Sequence, residues 1–308
     1  MLLSNNVSLA QEKPILYDFV EIPQALLENP ATKFNAEMHI GVPFLSKLHF
    51  KVNTFGISTY DLFAANSESI NLKLESVLSQ INTNDYLTVN QQLEILSFGF
   101  KSRNNVYWSA GLYQEFDFVM YYPKSVIDLF WYGNSNSLNR AYQLSDVKVK
   151  ADLLNVYHLG LSKKISSKLR AGIRGKLYMG MANLSSQRNK GYFITNESMI
   201  SSSEYTHYNH SLVGLSGTLS TSGMSSFFDS SSSPNNIIND LMGKFLFSPN
   251  LGVGLDIGIT YNISKSSYVT ASILDVGFIK YSSDINNYNL NGSILLMVLL
   301  IHFQQQQI

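Results

Sequence analysis

From Leu169 to Met181 every second residue is aliphatic, methionine or glycine, and the residues between are Arg170, Gly172, Arg174, Lys176, Tyr178 and Gly180. The pattern returns from Leu251 to Ile263, where Gly252, Gly254, Asp256, Gly258, Thr260 and Asn262 fill the intervening places. Side chains of a strand point alternately to its two sides, so each run has one oily face and one polar or basic face. Both runs are roughly twice the ~5–6 residues of an ordinary soluble strand. They suit a tilted strand crossing a bilayer. The alternation therefore predicts an all-β fold, a transmembrane antiparallel β-barrel with a polar interior and short helices in its long loops. A soluble β-sandwich or solenoid is the competing architecture.

Composition agrees with the barrel. Charged residues make up 14% of the chain, against about 25% in an average soluble domain, which leaves little to decorate a large water-facing surface. Phe and Tyr number 18 each, as an aromatic-rimmed exterior requires. With 22 basic and 22 acidic residues the net charge is +0, which argues against recruitment of nucleic acid. The chain has no cysteine, which is compatible with an oxidising envelope compartment without demanding one. The longest apolar run, Ile294 to Ile301, is too short for a membrane-spanning helix.

Residues 1–10 end in Ser8-Leu9-Ala10 before Gln11, which reads as the remnant of a signal peptide whose start lies upstream, or as an ordinary disordered terminus. Residues 11–33 hold Pro14, Pro23 and Pro30 around an apolar but aperiodic core, so a plug or hatch segment fits better than a strand. A barrel domain is expected over 34–292. Its strand candidates, about ten, lie near 34–41, 48–59, 86–100, 105–119, 152–163, 168–182, 190–199, 205–220, 249–263 and 267–280. Helices are expected from Ser69 to Ile81 and from Pro123 to Tyr132. A weak repeat relates 159–173 to 257–273, each a strand, an Ile-Ser turn and a strand, so both turns belong at one end. If 190–199 is a separate strand, parity makes 221–248 an external loop and sends the first strand toward the short-turn end. The plug would then pass up through the lumen. Residues 293–308 break the alternation with an aliphatic run and four glutamines, as an out-of-frame tail or a short terminal helix would.

The succession PQALLENPA (23–31), IGVPFLSKLHF (40–50), INTNDYLTVNQQLEILSFGF (81–100), GLYQEFD (111–117), VKADLLNVYHLG (149–160), KLRAGIRGKLY (168–178) and NLGVGLDIGITY (250–261) resembles a family of uncharacterised outer-membrane barrels of Bacteroidetes, classed as a domain of unknown function. Members of that family are typically longer, so the resemblance implies a chain truncated at both ends. More distantly, Asn29-Pro30-Ala31 and the plug-then-barrel order are similar to FadL-type hydrophobe transporters and to the PorV and PorP/SprF barrels of type IX secretion. That likeness implies a bacterial outer-membrane location and a plug at Asn29, Pro30 and Ala31. The role it implies is uptake or passage of a hydrophobic or small solute. The alternatives are a structural or accessory barrel of a secretion or gliding machinery, or an inactive fragment.

Alternation places Arg170, Arg174 and Lys176 on the inner face of one strand and Tyr113, Glu115 and Asp117 on that of another. Asp256 and Asp275 are flanked by apolar neighbours and point the same way. Charges facing lipid at mid-membrane would cost about 2–4 kcal/mol for Arg or Lys. Such a set either contacts a polar ligand or plug, or forms an ion-pair network that braces the wall. Gly252, Gly254 and Gly258 lack nucleotide-loop spacing and let the sheet curve or admit a close-packed plug. His207 and His210 fall on opposite strand faces, and His39, His49 and His158 stand singly, so no metal or other cofactor is expected. No catalytic residues are identified, and a non-enzymatic role is expected. Tyr121, Tyr122, Phe130, Trp131 and Tyr132 are candidate rim or interaction aromatics. The expected partners are outer-membrane lipid and other envelope proteins, with no ligand specified.

Overall fold

The computed structural model describes residues 16, 19–56, 60, 63, 69–134, 137–197, 207–264 and 267–299. Eleven strands form one antiparallel sheet: β1 Met38–Ile40, β2 Leu48–Thr54, β3 Tyr86–Lys101, β4 Val106–Tyr121, β5 Tyr142–Gln143, β6 Lys148–Lys164, β7 Leu169–Glu197, β8 His207–Ser222, β9 Leu251–Asn262, β10 Tyr268–Lys280 and β11 Ile285–Leu299. Helices α1 Ala25–Glu28, α2 Ile70–Gln80, α3 Lys124–Tyr132, α4 Ser225–Phe228 and α5 Pro234–Lys244 punctuate the connections. Ser69 caps α2 by accepting from the Leu72 N–H, and Pro123 opens α3.

Several strands are successive pieces of one row. Strand β7 is 29 residues long. Residues along one of its edges pair first with β9, from Leu169↔Tyr261 to Met179↔Leu251, and then with β8, from Asn183↔Ser222 to Glu197↔Tyr208. Thus β8 and β9 run collinearly, and the segment between them is an excursion from the middle of a row. Likewise β10 and β11 continue each other, as do β1 and β2 along β3. The rows follow the order β1/β2, β3, β4, β5/β6, β7, β8/β9, β10/β11. Among the described residues no pairing joins the first row to the last, so the sheet is not closed.

Three expectations change. Residues 190–197 belong to β7, because Arg188 and Gly191, both with positive φ, absorb local irregularities without ending the strand. The first row runs away from the short turns, since Met38 pairs with Phe100 and Thr54 with Leu87. No passage of the N-terminal segment through the interior is then needed. Residues 293–299, set apart in sequence as an aberrant tail, continue β11, where Ile294 to Leu299 pair with Leu212 to His207. Residues 300–308 and the signal-like residues 1–10 lie outside the described residues.

The short turns do share one end. In both Ile-Ser turns the isoleucine and serine N–H groups reach back to one carbonyl, Leu169 O in the first and Ser267 O in the second. The alternation is equally visible in burial. Leu251, Val253, Leu255, Ile257, Ile259 and Tyr261 are exposed, whereas Gly252, Asp256 and Gly258 between them are buried. Globular proteins normally bury aliphatics and expose carboxylates. Strand β9 does the reverse.

Candidate functional site

The polar face of the sheet carries the N-terminal segment, and the face that holds it is called inner below. Arg174 organises the contact. Its Nε and Nη2 donate to Asp256 Oδ2 at 2.6 and 2.5 Å, and Nη1 and Nη2 donate to the carbonyls of Leu26 and Leu27 at 2.6 Å each. Helix α1 ends at Glu28, so its last carbonyls have no intrahelical donors and the guanidinium supplies them. Asn29 is 1% exposed. Its Oδ1 accepts from the Ala31 N–H at 2.8 Å, and its Nδ2 donates to Thr270 Oγ1 at 2.5 Å. Thr260 Oγ1 donates to Ala31 O at 3.3 Å.

Glycines make this approach possible. A Cβ on Gly172 would lie 2.1 Å from the Pro30 carbonyl oxygen, and one on Gly258 would lie 2.0 Å from Asn29 Oδ1. Asn29-Pro30-Ala31 thus occupies space that any side chain at these two inner positions would fill. Gly252 and Gly254 serve otherwise, meeting β10 and the Tyr178 phenol.

The expected charges converge. Lys176 Nζ lies 3.0 Å from Asp256 Oδ2 and 2.5 Å from Asp275 Oδ1. Asp275 Oδ1 also accepts from the Tyr178 hydroxyl at 3.0 Å, and the Asp275 N–H donates to Asp256 Oδ1 at 2.6 Å. Asp275 adopts φ +59 where the pairing of β10 with β9 shifts register between Ile273 and Val276. This bulge turns its carboxylate toward Lys176. Arg170 stands apart from the cluster, donating to Ser162 Oγ at 3.2 Å. Glu115 and Asp117 belong to another group around Asn90, whose Nδ2 donates to both carboxylates.

Two residues that alternation does not single out complete the seam. Glu28 forms a buried ion pair with Lys47 at 3.2 Å, while its backbone carbonyl accepts from Ser272 Oγ at 2.9 Å. Lys47 lies between β1 and β2, and Ser272 is in β10, so one residue touches both edge rows. The sheet must therefore be curled strongly enough to bring its edges to either side of the N-terminal segment. The only sequence sign of Glu28 is a carboxylate beside the apolar Ala25-Leu26-Leu27. A cavity of about 10 Å³ remains between segment and wall, bordered by Leu27, His39, Glu94, His158 and Arg174, which is room for about one water.

The aromatic candidates separate. Phe130, Trp131 and Tyr132 at the end of α3 are exposed. Tyr122 is buried, and its hydroxyl donates to Phe55 O at 2.7 Å, so it belongs to the packing beneath α2 and α3 rather than to a surface patch. Burial, and then the Asp85 carboxylate, push its phenol above the ordinary range. Tyr121 packs on Tyr86 and lies under the Lys148 ammonium. Of the histidines, His39 bonds Tyr107 and Ser97, and His210 bonds Thr195 and Asn134. Among the described residues no three His, Cys, Asp or Glu side chains gather to hold a metal ion.

These features define an all-β protein whose single curved sheet buries Arg174, Lys176 and Asp256 on one face, beneath a docked N-terminal segment, and exposes aliphatic side chains on the other. The chain belongs to the family of unknown function DUF5723, whose model matches residues 30–306. No curated protein and no solved structure matches it.

Proposed function

We propose that the chain is a strand-spanning wall of a bacterial outer membrane, whose N-terminal segment obstructs a passage for a hydrophobic or small solute. The observation that carries this reading is the inverted burial along β9 and the facing first half of β7. In water, each exposed aliphatic side chain of this face forgoes about 1.5–3 kcal/mol available from burial. A bilayer supplies the missing apolar surroundings and leaves Arg174, Lys176 and Asp256 out of lipid. It also demands that the two edge rows meet each other or another chain, since unpaired backbone in hydrocarbon costs several kcal/mol per group.

Single cysteines at Leu255, Ile257 and Ile259 are expected to resist a charged maleimide in membranes, while one at Ser264, in the exposed turn, reacts. Reaction at all four positions would remove the bilayer from the model. Deleting residues 22–31 should raise conductance across a planar bilayer, and unchanged conductance from a folded variant would remove the obstruction.

The exposed Phe130, Trp131 and Tyr132 favour a second reading, an accessory barrel that binds another envelope protein through α3. On that reading the deletion leaves conductance unaltered.

A further inference from the structure

The excursion between β8 and β9 leaves and re-enters the sheet opposite Gly180–Ala182 of β7. Its ends are fastened there: Gly180 N–H donates to Asn250 O at 2.8 Å, Ser248 Oγ donates to Gly180 O at 2.5 Å, and Lys244 Nζ donates to Gly223 O at 2.9 Å. The body of the excursion lies on the outer, apolar face. Phe228 packs on Tyr288 with ring centroids 4.7 Å apart, and the Tyr157 hydroxyl donates to Leu246 O at 3.0 Å. Tyr157 shares its side of the sheet with the exposed Leu177 and Val253, its neighbours in register.

Helix α5 has apolar residues at Ile237, Ile238, Leu241, Met242 and Phe245, a stripe at helical spacing opposite Asn236, Asn239 and Asp240. One edge of that stripe is half-buried, whereas Ile238, Met242, Leu246 and Phe247, with Phe227 of α4, stay exposed. This exposed apolar surface continues into that of Leu251 and Val253, directly after it in the chain.

Its height is informative. Strand β9 has 12 residues between the excursion and the short turn, about 40 Å along the strand and about 28 Å along the normal at a 45° tilt. The apolar band of an outer-membrane barrel is about 25 Å tall. Beyond this level the outer face becomes mixed: Leu184 and Ser186 of β7 pair with Thr221 and Leu219 of β8, which in turn pair with Asn286 and Tyr288 of β11. Measured along β9, the excursion therefore leaves the wall about one apolar-band height from the short turns.

Resting on the membrane reading above, we infer that α4 and α5 form an interfacial anchor, lying in the plane of the bilayer surface with Phe227, Ile238, Met242, Leu246 and Phe247 among the outer acyl chains. The ligand of this surface is lipid at the headgroup–acyl boundary, the environment that takes up an amphipathic helix. The anchor fixes the depth of the wall and keeps the interrupted row from sliding along the membrane normal.

Depth-resolved quenching tests this in the full chain. With Trp108→Phe and Trp131→Phe as background, Met242→Trp or Val253→Trp is introduced, and the protein is inserted into phosphatidylcholine vesicles brominated near the headgroup or near the chain end. Tryptophan at 242 is expected to be quenched at least twofold more by shallow than by deep bromine. Tryptophan at 253 reports whether the wall itself is in lipid. Quenching at 253 with water-exposed emission at 242 would overturn the anchor and leave the wall reading standing. Equal or stronger quenching of 242 by deep bromine would overturn the interfacial placement. Quenching at neither position would remove the membrane reading on which the anchor depends. Phe247→Trp provides the same readout if the Met242 variant does not insert.

Discussion

Replacing Arg174 by alanine is expected to unseat the N-terminal segment and to destabilise the protein by about 3–5 kcal/mol, the cost of removing one partner from a buried charge network. The Arg174 and Asp256 side chains are 3% and 0% exposed, and the same guanidinium holds the carbonyls of Leu26 and Leu27. Without it two carbonyls lose their donors, and Asp256 retains Lys176 and the Asp275 N–H. Equilibrium unfolding from lipid vesicles measures the loss, and planar-bilayer recordings should show raised conductance. Arg174→Lys keeps the charge but not the fork, so it should fall between wild type and alanine. An alanine variant with unaltered unfolding midpoint and conductance would show that the cluster braces nothing.

A single methyl group at Gly172 should have a comparable effect on docking. The added Cβ of Gly172→Ala would meet the Pro30 carbonyl oxygen at 2.1 Å and its carbon at 2.2 Å. Backbone atoms cannot swing away as a flexible side chain can, so Asn29-Pro30-Ala31 must lift off the wall. Gly175→Ala, three residues along the same strand with nothing within 4 Å of the added carbon, is the internal control and should match wild type. Conductance like that of the 22–31 deletion is expected for the first variant. Wild-type conductance in both would show that the segment does not sit on Gly172.

The shared face of Arg174, Lys176 and Asp256 is legible in sequence because strand alternation is local: each strand declares its polar side without reference to its neighbours. Alternation does not say which pieces are collinear. β8 and β9 each look like a complete strand, and only their shared partner β7 reveals a single row interrupted by two helices. The aliphatic end of β11 shows no alternation by which sequence could place it, since its pairing with β8 decides its place. The ion pair of Glu28 with Lys47 was illegible because neither residue sits in a periodic segment. The bulge at Leu274 and Asp275 was also invisible, although it sets the direction of the Asp275 carboxylate.

The bridge at Glu28 also bears on the order of assembly. Its carbonyl meets Ser272, a separation of 244 residues, and the neighbouring Asn29 meets Thr270 across 241. Contacts that close such long loops incur their entropy loss before they return any stabilisation, which makes them late and slow events. The seat for residues 22–32 does not exist until β7, β9 and β10 have paired, so the stretch translated near the start finds its place near the end. Until then its apolar side chains wait undocked, and a chaperone or the membrane surface that shields them would set the pace of maturation.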